Sequence, residues 1–131
     1  MATMTALKQV IVCDNECDIR EMLGKVVEFA GYQPLLAENM AEVIGYIRTE
    51  KPELLLLDIR MPDNDGFDVA ELLRRHGNNI PIIFITAHDN LFCRTYSPAV
   101  GAVGYLTKPI DVDLLLDRLN AVLSTRTTAK D

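Results

Sequence analysis

The chain has 131 residues, 49% of them hydrophobic and 24% charged, with a formal net charge of −6. This length fits a single domain with a core of its own, and the acidic balance argues against direct binding to nucleic acid or to an anionic membrane. No apolar run approaches the ~18–20 residues of a membrane span, and the start, Met1 to Ala6, lacks a secretory h-region, so a cytoplasmic location is expected.

Val10-Ile11-Val12-Cys13 is a short apolar run that ends on Asp14-Asn15-Glu16. Ile19, Met22, Leu23, Val26, Val27 and Ala30 then recur at helical spacing, with Asp18 and Glu21 placed as a capping box and Gly31 as a stop. Pro34 to Ala37 reads as a second strand. Asn39 caps a helix that turns Met40, Val43, Ile44 and Ile47 inward, although Gly45 costs it about 1 kcal/mol relative to alanine. Four consecutive leucines, Leu54 to Leu57, suit a strand buried on both sides, as in a parallel sheet covered by helices. The run stops on Asp58, Asp65-Gly66 makes a turn, and a helix follows to Arg75. Ile80 to Ile85 is a fourth strand ending on Thr86. Pro98 falls where the next helix belongs, at a cost near ~3 kcal/mol in a helix interior, so a short, kinked or partly unravelled helix is expected. Gly101 to Leu106 is a fifth strand, ending on Thr107-Lys108-Pro109. Asp111 then caps a helix carrying Leu115, Leu116, Leu119 and Leu123. A domain over residues 1–124 with a polar tail over 125–131 is expected.

Five strand–helix repeats predict a single α/β domain, a parallel sheet with helices on both faces and right-handed crossovers. In such a sheet, ligands bind outside the carboxyl ends of the strands. The first, third, fourth and fifth strands end on Asp14, Asp58, Thr86 and Lys108. Two carboxylates brought together repel unless a cation lies between them. A hard divalent ion such as Mg²⁺ suits that mouth, and the lysine and threonine can hold phosphoryl oxygens. Cys13, Cys17 and Cys93 form no CxxC pair, and His76 and His88 complete no zinc pattern, so buried or half-buried reduced thiols are expected.

Over roughly residues 8 to 124 the sequence resembles the CheY-like receiver domains of two-component response regulators. The resemblance is carried by Asp14 in the acidic loop, Asp58 with Met61-Pro62 and Asp65-Gly66, Thr86-Ala87, Tyr105, and Lys108-Pro109. It implies a doubly wound (βα)5 fold with a five-stranded parallel sheet of order 2-1-3-4-5. It implies Asp58 as phosphoacceptor, Lys108 as its partner, and Thr86 and Tyr105 as switch residues. Mg²⁺ would be held by Asp14, Asp58 and the backbone carbonyl of Arg60, with a cis bond before Pro109. The implied donor is a histidine kinase or a histidine phosphotransfer protein. The state would be read on the surface of the fourth helix, fifth strand and fifth helix, by a downstream protein, by an output domain on another chain, or by a second copy in a homodimer. Such a domain assists its own phosphorylation and dephosphorylation without being an enzyme in the usual sense.

One position departs from the family. Asn15 stands where a second acid is usual, so one metal-site charge is lost, and weaker Mg²⁺ binding is expected. Glu16, one residue on, could swing in to compensate, although its place in the chain is expected to point it away. Arg60 and His88, each two residues beyond a site residue, are expected at the rim. An interaction module with weakened or lost phosphorylation is the alternative, resting on Asn15. An aspartate-nucleophile phosphohydrolase is disfavoured because Arg60 stands where that chemistry wants a second acid.

Overall fold

A computed structural model describes residues 7–62 and 64–128 of the chain. Strand and helix alternate as β1 (Gln9–Cys13), α1 (Cys17–Phe29), β2 (Gln33–Ala37), α2 (Met40–Thr49), β3 (Pro52–Asp58), α3 (Gly66–Arg75), β4 (Ile82–Thr86), α4 (Leu91–Ala99), β5 (Ala102–Thr107) and α5 (Val112–Thr128). The strands pair in parallel in the order β2-β1-β3-β4-β5, as expected.

The leucines of β3 divide between two cores by the two-residue period of a strand. Leu55 and Leu57 join Ile11, Ile82 and Phe84 against Val43 of α2, Leu73 of α3 and Cys93 of α4. Leu54 and Leu56 join Val12, Ile83 and Ile85 against Leu23 and Val27 of α1 and Leu115 and Leu119 of α5. All four leucines are 0% exposed. At about 1.5–3 kcal/mol per fully buried leucine, this one run contributes on the scale of a domain's net stability, ~5–15 kcal/mol.

Local signals act as the residue types suggest. Asn39 Oδ1 accepts from Glu42 N at 3.0 Å, and Gly31 closes α1 with a φ of 98°. Gly66 serves a different end. A Cβ there would lie 2.6 Å from the Asp58 carbonyl oxygen and 2.8 Å from Ile59 Cα. The glycine therefore lets α3 begin directly against the end of β3, with Gly66 N donating to Ile59 O at 2.7 Å.

Two elements depart from expectation. α1 has no capping box: Glu16, not Asp18, occupies the N-cap position, and its side chain caps nothing. α4 is short, as expected: it has nine residues and ends one residue after Pro98, whose missing N–H removes a bond from its last turn. α5 runs to Thr128 although a tail was expected from residue 125. Capped by Asp111 Oδ1, which accepts from Leu114 N at 3.1 Å, it meets no glycine or proline that would stop propagation. Met1 to Ala6 and tail residues 129–131 lie outside the described residues. Among the described residues, no helix is long and apolar enough to cross a membrane.

A pair of arginines at the end of a helix, such as Arg74-Arg75, is ordinarily a solvated face, but Arg74 is not. Its guanidinium donates to Val100 O at 2.9 Å, Asn78 O at 3.1 Å, Ile80 O at 2.8 Å and Gly101 O at 3.2 Å. One side chain thus ties the end of α3 to the entrance of β4 and to the α4–β5 turn. Truncation would leave partly buried carbonyls without donors, so Arg74→Ala should lose about 2–3 kcal/mol in urea unfolding, from the value of hydrogen bonds to charged groups. Arg75→Ala, on the exposed side, should stay within about 0.5 kcal/mol.

Candidate functional site

The loops after β1, β3 and β5 meet at one edge of the sheet. Asp14 follows Cys13, which pairs with Leu57, and Asp58 ends β3 opposite Ile85. Lys108 is held by its own N–H, which donates to Thr86 O at 2.8 Å, and precedes a cis peptide to Pro109. Its Nζ lies 3.0 Å from Asp14 Oδ2, 3.0 Å from Glu16 Oε1 and 3.1 Å from Asp58 Oδ2. The two aspartates are oriented alike. Asp14 Oδ1 accepts from Glu16 N at 2.9 Å and Asp58 Oδ1 from Arg60 N at 3.0 Å. Each acid therefore has one oxygen tied to its own loop and the other turned toward the lysine.

Asp14 is fully buried and Asp58 only 3% exposed. Burial and the neighbouring Asp14 charge raise the pKa of Asp58, against the lowering effect of the Arg60 N–H and Lys108. Burial alone would lower the pKa of Lys108, but the Glu16 and Asp14 carboxylates beside it and the charge of Asp58 outweigh it and hold the ammonium above its ordinary range. Three carboxylates about one ammonium leave two uncompensated negative charges. Oxygens of Asp14, Glu16 and Asp58 all lie within 4.8 Å of one another. Asp14 Oδ2 is buried and, although near the ammonium, receives no aligned hydrogen bond. An all-oxygen donor set with an under-satisfied buried oxygen fits a hard divalent cation.

The other expected residues are placed less uniformly. Thr86 is fully buried at the same edge, and its hydroxyl oxygen accepts from His88 N at 2.9 Å. Arg60 and His88 are exposed, as a rim position requires. Asn15 is exposed and makes no side-chain hydrogen bond, whereas Glu16, expected to point away, bonds Lys108. The thiol expectation holds for buried Cys13 and Cys93 and fails for exposed Cys17. Burial, then Asp14 and Asp58, push the Cys13 thiol up to about 12.

Sequence reasoning missed the surroundings of Tyr105. Its hydroxyl donates to Asp89 Oδ1 at 3.0 Å, Arg94 grips the same carboxylate at 2.7 and 2.5 Å, and the guanidinium lies 5.7 Å from the Tyr105 ring centroid. Only the spacing of Asp89 to Arg94 hinted at this clasp, and a short loop makes such spacing uninformative.

Two outcomes follow from this electrostatics. Folding raises the Asp58 pKa, so the ionised carboxylate costs stability at neutral pH, and that cost disappears as pH falls through the folded-state pKa. With EDTA present at pH 7, Asp58→Asn should raise Tm by a few degrees, the effect of about 1 kcal/mol in a domain this size. The advantage should shrink in acid. Burial first, then the Asp89 hydrogen bond, raises the Tyr105 phenol to about 12. In a ¹³C-tyrosine titration assigned with Tyr105→Phe, Asp89→Ala should lower that pKa while burial keeps it above the ordinary value.

A family model described as response regulator receiver domain matches residues 10–120. Response regulator MprA of Mycolicibacterium vanbaalenii is 36% identical over 123 residues, covering 94% of this chain and 53% of that protein. MprA of Mycobacterium tuberculosis strain H37Rv shows the same identity and coverage, so the chain spans about half the length of these relatives. Among solved structures, a CheY-like receiver domain protein from Methanospirillum hungatei superposes with a TM-score of 0.86 at 26% identity, covering 95% of this chain and 99% of that one. The chemotaxis protein CheY4 of Vibrio cholerae superposes with a TM-score of 0.83 at 28% identity, covering 90% and 100%. Fold, acidic edge and relatives agree: the chain belongs to the response regulator receiver domains of two-component signalling.

Proposed function

We propose that the chain is a phosphorylation-dependent switch in which Asp58 accepts a phosphoryl group from the phosphohistidine of a histidine kinase or a histidine phosphotransfer protein. The observation that carries this reading is the posture of Asp58: buried, one oxygen fixed by the Arg60 N–H, the other facing Lys108 beside a second buried acid. That second oxygen attacks phosphorus, the phosphorus–nitrogen bond breaks, and its electron pair returns to the imidazole nitrogen. An acyl phosphate remains on Asp58. The Lys108 ammonium, already within reach, pairs with a phosphoryl oxygen. Asp14, Asp58 and the Arg60 carbonyl are the groups that would hold Mg²⁺, which when bound neutralises charge building on the phosphoryl oxygens. Because the Thr86 hydroxyl oxygen accepts from His88 N, its own hydrogen remains free to donate to a phosphoryl oxygen.

Readout follows from what surrounds this edge. Thr86 ends β4 opposite Thr107 of β5, and Tyr105 lies two residues earlier on β5, clasped to Asp89 at the head of α4. A Thr86 hydroxyl drawn toward the phosphoryl group opens space behind it. Tyr105 can fill that space only by leaving Asp89. The face of α4 and β5 carries exposed Leu91, Phe92 and Val103, apolar area suited to a downstream protein, an output domain on another chain or a second copy. The acidic surface suits these better than nucleic acid.

Acetyl phosphate with magnesium should give a phosphate adduct by intact mass in the wild type and none in Asp58→Ala. Lys108→Ala should slow adduct formation at least about tenfold, the effect of losing ~1.4 kcal/mol of transition-state stabilisation. An adduct retained by Asp58→Ala would refute the assignment.

A further inference from the structure

The carboxylate of Glu16 is committed in an unusual direction. Glu16 occupies the N-cap position of α1, where a side chain ordinarily accepts from the first free N–H groups of the helix. It accepts none of them. Its backbone is pinned instead, with its N–H donating to Asp14 Oδ1 at 2.9 Å, and its carboxylate reaches across to Lys108 at 3.0 Å. The side chain is 60% exposed while the side chain of Asp14 beside it is 1% exposed. Asn15, the residue between them, contributes no hydrogen bond to this group.

We infer that Glu16 is the third carboxylate of the divalent-cation site, taking the place left by Asn15, and that it exchanges between Lys108 and the cation. This rests on the phosphoacceptor reading above and deepens it. Two features of the cluster support it. Oxygens of Asp14, Glu16 and Asp58 fall within one 4.8 Å cluster, close enough to face one ion directly or through its waters. Buried Asp14 Oδ2 is aimed into that cluster, 3.0 Å from the Lys108 ammonium but without an aligned hydrogen bond.

Charge decides between Glu16 and Asn15. With Asp14 and Asp58 against Lys108, the site carries one net negative charge, half that of a divalent ion. Glu16 brings it to two. Glutamate also has the reach for exchange: its mostly exposed stem rotates at little packing cost, whereas the buried aspartates are fixed by their loops. When Glu16 turns to the cation, Lys108 loses one of its three carboxylates and is freer to follow Asp58 and a phosphoryl oxygen. The lysine is thereby released when the site is charged for transfer.

The test is magnesium binding to the unphosphorylated full chain, measured by isothermal titration calorimetry, with thermal unfolding as a check on each variant. Glu16→Gln should weaken binding at least about tenfold, and Asn15→Ala should change it less than about twofold. Glu16→Gln within twofold of wild type, or Asn15→Ala weakened as much as Glu16→Gln, would overturn the assignment. The exchange is read by a double-mutant cycle. Lys108→Met should tighten binding more in the wild-type background than beside Glu16→Gln, and equal gains would overturn it. If Glu16→Gln has no effect while the wild type binds magnesium and Asp58 still takes up phosphate, only this inference falls. If the wild type binds no magnesium, the metal part of the functional reading falls too.

Discussion

The contact on which the site depends is the single ammonium of Lys108 among three carboxylates. Two of those acids lie almost wholly inside the protein, where removing a charge from water costs several kcal/mol per ion. Asp14 and Asp58 tolerate it because each has one oxygen satisfied by a backbone N–H two residues on and the other near the lysine. The compensation is incomplete, as the raised pKa of Asp58 indicates. The two-sided leucine core supplies the stability that lets the edge remain electrostatically unsatisfied. An acid held ionised against repulsion and burial gains when positive charge is added beside it, which is the physical reason such a pocket favours a cation.

What could be read from sequence divides along a clear physical line. Periodicity and turn chemistry are local, and they located every strand, the two-sided burial of β3, the Asn39 cap and the Gly31 stop. Parallel topology then forced Asp14, Asp58, Thr86 and Lys108 to one edge without knowledge of any contact. What failed depended on the reach of long side chains. Glu16 and Arg74 looked like solvated residues because their partners lie far along the chain, at Lys108 for one and at Val100 and Gly101 for the other. Cap assignment at α1 failed for the same reason: the side chain in the N-cap position was taken by a distant lysine. Gly66 was legible as part of a turn, but its need for close backbone approach shows only once α3 packs on β3.

The edge connects mechanically to the face proposed for readout. Gly66 seats α3 on the backbone of Asp58 and Ile59, and the next residue, Phe67, meets Phe84 of β4 and Tyr96 of α4 edge-on at 4.9 Å each. Phe92 stacks on Tyr96 at 5.4 Å, and the Tyr96 hydroxyl donates to Glu71 of α3. Close-packed aromatic contacts of this kind shift as a unit rather than deform gradually. α4 is therefore bound to α3 through its rings and to β5 through the Asp89–Arg94–Tyr105 clasp.

These two attachments do not have equal strength, and the difference sets which one a switch would use. The rings are partly buried hydrocarbon, lost only by exposing apolar area to water. The clasp is largely solvent-exposed, with Arg94 60% and Asp89 32% accessible, and exposed ion pairs are worth only about 0–1 kcal/mol. A ligand shifts a conformational equilibrium only by its differential affinity for the two states. A single hydrogen bond gained by Thr86 is on the scale of the clasp, not of the aromatic cluster. On the proposed reading, release of Tyr105 from Asp89 is accordingly the movement within the energetic reach of a phosphoryl group, while parting the aromatic cluster is not.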